Sequence, residues 1–173
     1  LIVLLKIQFP NGHKILMLTE PGIIGKIGMN SQGLGVCLNL LMIKQKLTGV
    51  PIHIVLRSVL DSPTLQDAKN AVKKAGLGKA SNILIGTKSG DCLNIEFVGD
   101  ELFYLSPENQ VLIHTNHVLA SPINPKRGMF YGSYVRLETI KAKLTETSDY
   151  SLKTMENILL DRSHKQYPIH QPY

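Results

Sequence analysis

Cysteine and aromatic residues are scarce in this 173-residue chain, which has two cysteines, no tryptophan and only 6% aromatic residues. Cys37 and Cys92 lie far apart and form no CxxC pair, which excludes a disulfide-dense scaffold. Isolated cysteines are typical of a reducing compartment, so we expect a cytoplasmic protein. Long apolar runs are missing as well. None approaches the ~20 residues that a membrane helix needs, and we expect no membrane partner.

Acidic residues are nearly absent from the first third of the chain, where Glu20 alone faces six lysine and arginine residues up to residue 60. The whole chain carries a net charge of +6, and a basic chain can bind nucleic acid. Here the basic residues are scattered singly, and few aromatic side chains are available to stack on bases. We therefore expect no nucleic-acid partner. The charge indicates mainly solvated faces, and an anionic small substrate is an alternative.

Several catalytic motifs are missing too. The chain has no GxSxG elbow and no HExxH helix, and its GIIGKIG stretch lacks the GxGxxG spacing of a dinucleotide site. Ser31 falls in a predicted hairpin turn. Cys37, inside the apolar stretch GVCLNLL, is expected to be a small buried hydrophobic residue. His53 and Arg57 lie one helical turn apart and are interpreted as structural. We expect no cofactor.

Hydrophobic periodicity and turn residues predict an α+β fold of eight strands and four helices. The strands are predicted at residues 1–9, 13–19, 23–30, 33–41, 81–87, 92–98, 101–105 and 111–115. The helices are predicted from Pro51 to residue 60, from Thr64 to Gly76, near 133–145 and near 151–161. Short hairpin links imply antiparallel pairing, and segregated helices imply helical layers against sheets. The length suits one domain over residues 1–173.

The segment IHTNH, residues 113–117, places two histidines after an apolar run. The run predicts the end of a strand, where positions three apart point to opposite faces, so His114 and His117 are not expected to share a metal ion. No acidic residue lies within the segment. A metal-dependent hydrolase built on the two histidines remains an alternative.

Four segments together carry a family resemblance. They are TEPGIIGKIGMNSQGLGVCLN (19–39), GVPIHIVLRSVLDS (49–62), SNILIGTKSGDCLNIEF (81–97) and IHTNH (113–117). In order and spacing they resemble the acyl-CoA:6-aminopenicillanic acid acyltransferase family, also called isopenicillin N acyltransferases. The resemblance extends more weakly through the predicted helix that holds Ser133 and Arg136. This family belongs to the Ntn (N-terminal nucleophile) hydrolases, which implies an αββα sandwich of two antiparallel sheets between helical layers.

The resemblance implies an amide hydrolase or acyltransferase that acts on a small-molecule acyl or amide substrate. Such enzymes cleave themselves before a cysteine, which becomes the nucleophile while its own α-amino group, titrating near ~8, serves as the base. The resemblance assigns Asn116 as an oxyanion-hole donor. It also implies substrate-binding or supporting roles for a further set: His114, Thr115, His117, Glu20 and Asn39. It implies no metal.

The implied nucleophilic cysteine is absent from these residues, so we expect an upstream segment of the same precursor to supply it. We accordingly expect this polypeptide alone to be inactive. The alternative is a catalytically inactive Ntn-fold protein that binds a ligand or a partner chain.

Overall fold

A computed structural model describes residues 1–41, 49–75, 80–98, 101–120 and 131–171. The contacts divide the chain into two compact units. The first unit comprises Leu1–Leu112 with Val118–Ile123, and the second comprises Ile113–His117 with Asn124–Tyr173. That residues 1–173 form a single domain remains a prediction.

The first unit is built on a seven-stranded antiparallel sheet in which each strand pairs with the next along the chain. The strands are β1 (Val3–Gln8), β2 (Lys14–Thr19), β3 (Ile27–Asn30), β4 (Leu34–Leu40), β5 (Ser81–Thr87), β6 (Cys92–Val98) and β7 (Glu101–Leu105). The predicted α+β class and antiparallel pairing are confirmed. Of the two sheets that the resemblance implies, the described residues form one.

The hairpin turns follow from the residues at their tips. In the first turn Gly12 has a φ of +85°, and its N–H donates to the carbonyl of Phe9 at 3.0 Å. In the second turn Gly33 has a φ of +92°, and its N–H donates to the carbonyl of Asn30 at 3.1 Å. β3 is shorter than predicted because Glu20 and Ile23 close a turn of their own before the strand begins.

Two helices connect β4 to β5. They are α1 (Ile52–Asp61) and α2 (Leu65–Ala75), close to their predicted positions. Val55, Leu56, Val59 and Leu60 form a buried apolar stripe on α1, and Thr64 caps α2 by accepting the N–H of Asp67 at 3.1 Å. The predicted helix end at Gly76 lies outside the described residues, as do residues 121–130.

The two faces of the sheet have different surroundings. Side chains on the helical face pack with α1 and α2 in the main core, where Ile83, Ile85 and Ile95 are fully buried. The opposite face, here called the open face, carries a different set of side chains, among them Leu4, Leu16, Leu18, Met29 and Cys37. These side chains contribute to an open, apolar groove of about 700 Å³ in the first unit.

The expectation that Cys37 is buried was wrong. Cys37 lies opposite Leu84, one residue along from the pair formed by Val36 and Ile85. Because side chains alternate along a strand, Val36 enters the core and Cys37 is exposed on the open face. The thiol is nevertheless desolvated by its surroundings in the groove, which raises its pKa.

The second unit contains the other two helices, α3 (Tyr131–Thr145) and α4 (Leu152–Leu159), both as predicted within a few residues. Ser151 caps α4 by accepting the N–H of Thr154. Lys143 on α3 pairs with Asp161 at 2.7 Å, and this contact is the main cause of a lowered pKa for that carboxyl. None of the helices in the described ranges is both long and apolar enough to cross a membrane.

Asn30 connects the second hairpin to α1 and uses its whole hydrogen-bonding capacity. Its Oδ1 accepts from the N–H groups of Gln32 and Leu34 at 3.0 and 3.1 Å. Its Nδ2 donates to the carbonyls of Leu60 and Ser62 at 3.0 and 2.8 Å. A side-chain amide offers two lone pairs and two protons, so this buried group is fully satisfied.

We expect Asn30→Ala to lower the free energy of unfolding by about 3 kcal/mol, because it removes four hydrogen bonds and leaves buried partners unsatisfied. Urea denaturation of the 173-residue chain measures this effect. Asn11→Ala is the matched control. Asn11 also lies in a hairpin turn but accepts one exposed bond, from His13, and its loss should cost less than about 1 kcal/mol. Equal costs for the two variants would contradict the role given to Asn30.

Candidate functional site

The segment after β7 leaves the sheet, so the eighth predicted strand, 111–115, was wrong. Val111 pairs only with Glu108 in an isolated bridge, across a turn in which Asn109 and Gln110 have positive φ. From Ile113 the chain belongs to the second unit. There the N–H of Asn116 is taken by a side chain of α3 instead of a neighbouring strand.

Asn116 is held at two points by one side of α3. Its backbone N–H donates to the hydroxyl of Ser133 at 2.7 Å, and its Oδ1 accepts from Nη2 of Arg136 at 2.9 Å. Ser133 and Arg136 are three residues apart in the helix and therefore lie on the same side of it. Because Oδ1 faces Arg136, the donor edge of the amide, Nδ2, is directed away from the guanidinium.

The contact with Arg136 also affects the chemistry of the amide. Desolvation lowers the pKa of this half-buried guanidinium from its ordinary value, yet arginine stays charged at neutral pH. A charged donor on Oδ1 polarises the amide, and hydrogen bonds in such a chain strengthen one another. The Nδ2–H group of Asn116 is therefore a stronger donor than that of an isolated amide.

Three buried side chains form hydrogen bonds within and next to residues 113–117. Thr115, His117 and Ser133 are 4%, 2% and 4% exposed. The hydroxyl of Ser133 lies 2.9 Å from that of Thr115 and 2.8 Å from Nδ1 of His117. The ring of Tyr134 stacks on His117 with 3.8 Å between centroids. The irregular backbone of residues 115–117 is thus fixed by side chains and not by a strand ladder.

The histidines make protein hydrogen bonds. Nδ1 of His114 lies 2.6 Å from the carbonyl of Thr115, which can only accept, so this nitrogen carries a proton. Since residues 113–117 are not a strand, the strand-face reason for doubting a metal site no longer applies. Within the described ranges no group of three or more His, Cys, Asp or Glu residues could hold a metal ion.

The other two predicted site residues, Glu20 and Asn39, belong to the first unit. Glu20 follows β2 and forms an ion pair with Lys26, the main cause of its lowered pKa. Asn39 lies on β4 opposite Asn82 of β5. The four residues His114 to His117 are together in the second unit. The roles of all these side chains remain predictions.

The two residues interpreted as structural lie on α1. Nδ1 of His53 donates to the carbonyl of Gly25 at 2.9 Å, and Arg57 binds both carboxylate oxygens of Asp61. Gly25 approaches α1 so closely that an added Cβ would collide with the backbone of His53 and Arg57. Glycine at position 25 therefore allows the backbone of α1 to approach closely.

Sequence patterns missed two features of this region. Ser133 and Arg136 were noted only as part of the resemblance, although their helical spacing could have indicated a shared partner. Glu96 was not singled out. Its carboxylate is fully buried in β6 and accepts the N–H groups of Leu119 and Ala120 at 2.6 and 2.8 Å. A charged residue inside the apolar stretch LNIEF was the available signal, because a buried charge requires partners. Through these two hydrogen bonds, Glu96 connects Leu119 and Ala120, which follow shortly after IHTNH, to the sheet.

The fold is that of the Ntn hydrolases. The Caenorhabditis elegans N-acylethanolamine-hydrolyzing acid amidase ortholog is similar with a TM-score of 0.59 and 17% identity, over 95% of this chain and 76% of that chain. Penicillin V acylase from Agrobacterium tumefaciens gives a TM-score of 0.54 and 15% identity, over 88% and 58% of the two chains. The R18L variant of the Clostridium perfringens conjugated bile acid hydrolase gives 0.55 and 16%, over 85% and 62%. The predicted fold class is confirmed.

Within this class the sequence defines a particular family. Residues 4–172 match the acyl-coenzyme A:6-aminopenicillanic acid acyl-transferase family, and the chain belongs to that family. It is 33% identical over 133 residues to the 40 kDa form of the acyltransferase of that name from Emericella nidulans. The matched region is 72% of this chain and 37% of that protein, so the chain spans well under half the length of this relative.

Proposed function

We propose that the whole protein of which this chain is part cleaves or transfers an acyl group at a linear amide, and that Asn116 stabilises the oxyanion. Membership of an acyltransferase family gives the reaction class. The observation that carries the residue assignment is the double anchoring of Asn116, through its backbone to Ser133 and through Oδ1 to Arg136. A fixed amide donor that needs no reorganisation is what a developing oxyanion requires.

In the proposed reaction the α-amino group of an N-terminal cysteine takes the thiol proton, and the sulfur attacks the carbonyl carbon of the substrate. The carbonyl oxygen becomes an oxyanion that accepts a hydrogen bond from Nδ2 of Asn116. Collapse of this intermediate breaks the C–N bond, the leaving amine takes the proton back, and a thioester remains. Water or an acceptor amine then attacks the thioester and regenerates the thiol.

We propose that the nucleophilic cysteine lies in a segment of the same protein that precedes residue 1. Cys37 is a poor candidate because its pKa is raised, which keeps the thiol protonated at neutral pH. The matched relative is a much longer protein, which leaves room for a further segment. Two free cysteines fit a cytoplasmic location.

The substrate class follows from the relatives only in broad terms. Their names describe acyl transfer to 6-aminopenicillanic acid, hydrolysis of N-acylethanolamines and hydrolysis of conjugated bile acids. For this chain we propose a small-molecule substrate with an acyl group on nitrogen, and no particular acyl donor or amine. No cofactor takes part in the proposed chemistry.

We further propose that polypeptide of the same protein covers the open face. Its groove is lined mainly by apolar side chains, and among them Leu4 and Met29 are 67% and 57% exposed, while Lys6 and Lys14 are exposed on the same face. A contiguous apolar surface of this kind is unusual unless something binds it. The length of the Emericella relative outside the matched region is the second support, because it provides the covering segment within one protein.

Replacing Asn116 tests the oxyanion assignment. In the whole protein we expect Asn116→Ala to lower kcat by ~10²-fold or more, since one oxyanion donor is lost. Arg136→Met should cost less, about tenfold, because it removes only the polarisation and orientation of the amide. The double variant should be no slower than Asn116→Ala, because Arg136 acts through Asn116. Steady-state kinetics on the purified variants measures all three.

Asn70→Ala, an exposed asparagine on α2, is the control and should leave turnover unchanged. Unchanged turnover in Asn116→Ala would remove the oxyanion assignment. A whole protein that folds but turns over no acyl–nitrogen substrate would instead favour the inactive, binding alternative.

Cys37 reports on the open face. In the 173-residue chain alone we expect it to react with iodoacetamide, because its side chain is exposed. In the whole protein the covering segment should slow this reaction by ~10-fold or more, since reactivity depends on access to the sulfur. Mass spectrometry of the labelled peptides measures the rates. Equal rates for Cys37 in the two forms would contradict a covered open face.

A further inference from the structure

The hydroxyl of Ser133 is the centre of a buried hydrogen-bond circuit below Asn116. Four other atoms take part: Nδ1 of His117, Oγ1 of Thr115, the backbone N of Asn116 and the carbonyl oxygen of Ser133 itself. The distances from Ser133 Oγ are 2.7 Å to Asn116 N, 2.8 Å to His117 Nδ1 and 2.9 Å to Thr115 Oγ1. Oγ1 of Thr115 also lies 3.1 Å from the Ser133 carbonyl and 3.1 Å from His117 Nδ1.

Counting protons fixes the direction of each bond. The Ser133 carbonyl can only accept, so the single proton of the Thr115 hydroxyl is used there. The short contact between the two hydroxyls must then contain the proton of Ser133. Ser133 Oγ accepts the N–H of Asn116 with one of its two lone pairs. The remaining lone pair faces Nδ1 of His117, which must therefore be a donor.

The opposite arrangement leaves contacts without protons. If Ser133 donated to Nδ1 of His117, the one proton of Thr115 could serve either Ser133 Oγ at 2.9 Å or the Ser133 carbonyl at 3.1 Å. Two of the five contacts, including that between Thr115 Oγ1 and Nδ1, would then contain no proton. Buried polar atoms in such positions are costly. With Nδ1–H as donor, all five contacts contain a proton, and the N–H is shared between the two hydroxyls. The assignment is the same for a neutral and a protonated ring.

We propose that Ser133 is a positioning residue for Asn116 and that His117 holds it in place through an Nδ1–H group. Ser133 Oγ then uses its one proton and both lone pairs, so it cannot turn away from the Asn116 N–H. His117 is in turn fixed by the stacked ring of Tyr134. Neither residue touches substrate in this scheme. The effect of the circuit on turnover rests on the proposed function, whereas the proton assignment does not.

The proton assignment is tested on the 173-residue chain by NMR correlation of the His117 ring nitrogens with the ring carbon-bound protons, which distinguishes the two nitrogens. We expect a protonated Nδ1. A ring with its proton on Nε2 and a bare Nδ1 would overturn the proposal. Amide hydrogen exchange gives a second measure, because Ser133→Ala should speed exchange at Asn116 while Thr139→Ala should not. Thr139 lies on the same helix, and its hydroxyl bonds to the carbonyl of Val135.

Turnover of the whole protein tests the positioning role. We expect Ser133→Ala to lower kcat by ~10-fold or more and to change KM by less than ~3-fold, because small misplacement of a catalytic donor affects mainly the transition state. Thr139→Ala should leave both constants unchanged. A loss confined to thermal stability, or to KM, would contradict the role.

Two replacements of His117 make the test specific to Nδ1. In His117→Asn the side-chain N–H can occupy the Nδ1 position, whereas the N–H of His117→Gln can reach only the Nε2 position. We expect the asparagine variant to keep within about threefold of the parent kcat and the glutamine variant to lose as much as Ser133→Ala. The reverse order would overturn the proposal. Failure of the proposed function is recognised separately, as unchanged turnover in Asn116→Ala.

Discussion

The hydrogen bonds that α3 makes to Asn116 are the constraint on which the candidate site depends. Residues 113–117 form no strand in the part of the chain that the structure describes, and side chains of α3 bind polar groups of Asn116 instead. Ser133 takes the backbone N–H and Arg136 takes the side-chain oxygen. One helix thereby fixes both the position of the Asn116 backbone and the orientation of its amide. A donor held in this way can stabilise charge without paying for reorganisation during the reaction.

The sheet of the first unit has two faces with different surroundings. On the helical face, isoleucines of β5 and β6 pack with α1 and α2, and Asn30 ties a hairpin turn to the end of α1. On the other face, Glu96 binds two backbone N–H groups just beyond the IHTNH segment. The apolar remainder of that face is exposed in the described part of the chain, which is why we assign it a covering segment from the same protein.

Local signals predicted most of the fold. Gly12 and Gly33 adopt positive φ, so the hairpins follow from residues at the turns themselves. The apolar stripe of α1 and the Thr64 cap are likewise contained within a few residues. The prediction of a strand at 111–115 was wrong because the run Val111 to Ile113 has the composition of a buried strand, whereas Val111 pairs only with Glu108 and Thr115 bonds to Ser133 of α3. The prediction that Cys37 is buried was wrong because the residues on both sides of it are apolar. Alternation along the strand does not by itself say which face is the core.

The chemistry of the site was less accessible from the sequence. Asn116 was assigned through a family resemblance, and nothing local in IHTNH identifies Ser133 or Arg136 as its partners. These residues are 17 and 20 positions away, across residues 121–130. Only folding brings them together, and only the proton count among buried hydroxyls and a ring nitrogen suggests how the circuit is ordered. Long-range polar contacts of this kind leave no periodic pattern in a single sequence.

The most direct test of Asn116 as the oxyanion donor is a crystal structure of the whole protein with an aldehyde analogue of its amide substrate bound to the nucleophilic cysteine. The aldehyde oxygen of the resulting tetrahedral adduct occupies the place of the oxyanion. We predict that it lies about 3 Å from Nδ2 of Asn116, with Arg136 still bound to Oδ1. An adduct oxygen bound by other donors, with Asn116 beyond hydrogen-bonding distance, would contradict the assignment.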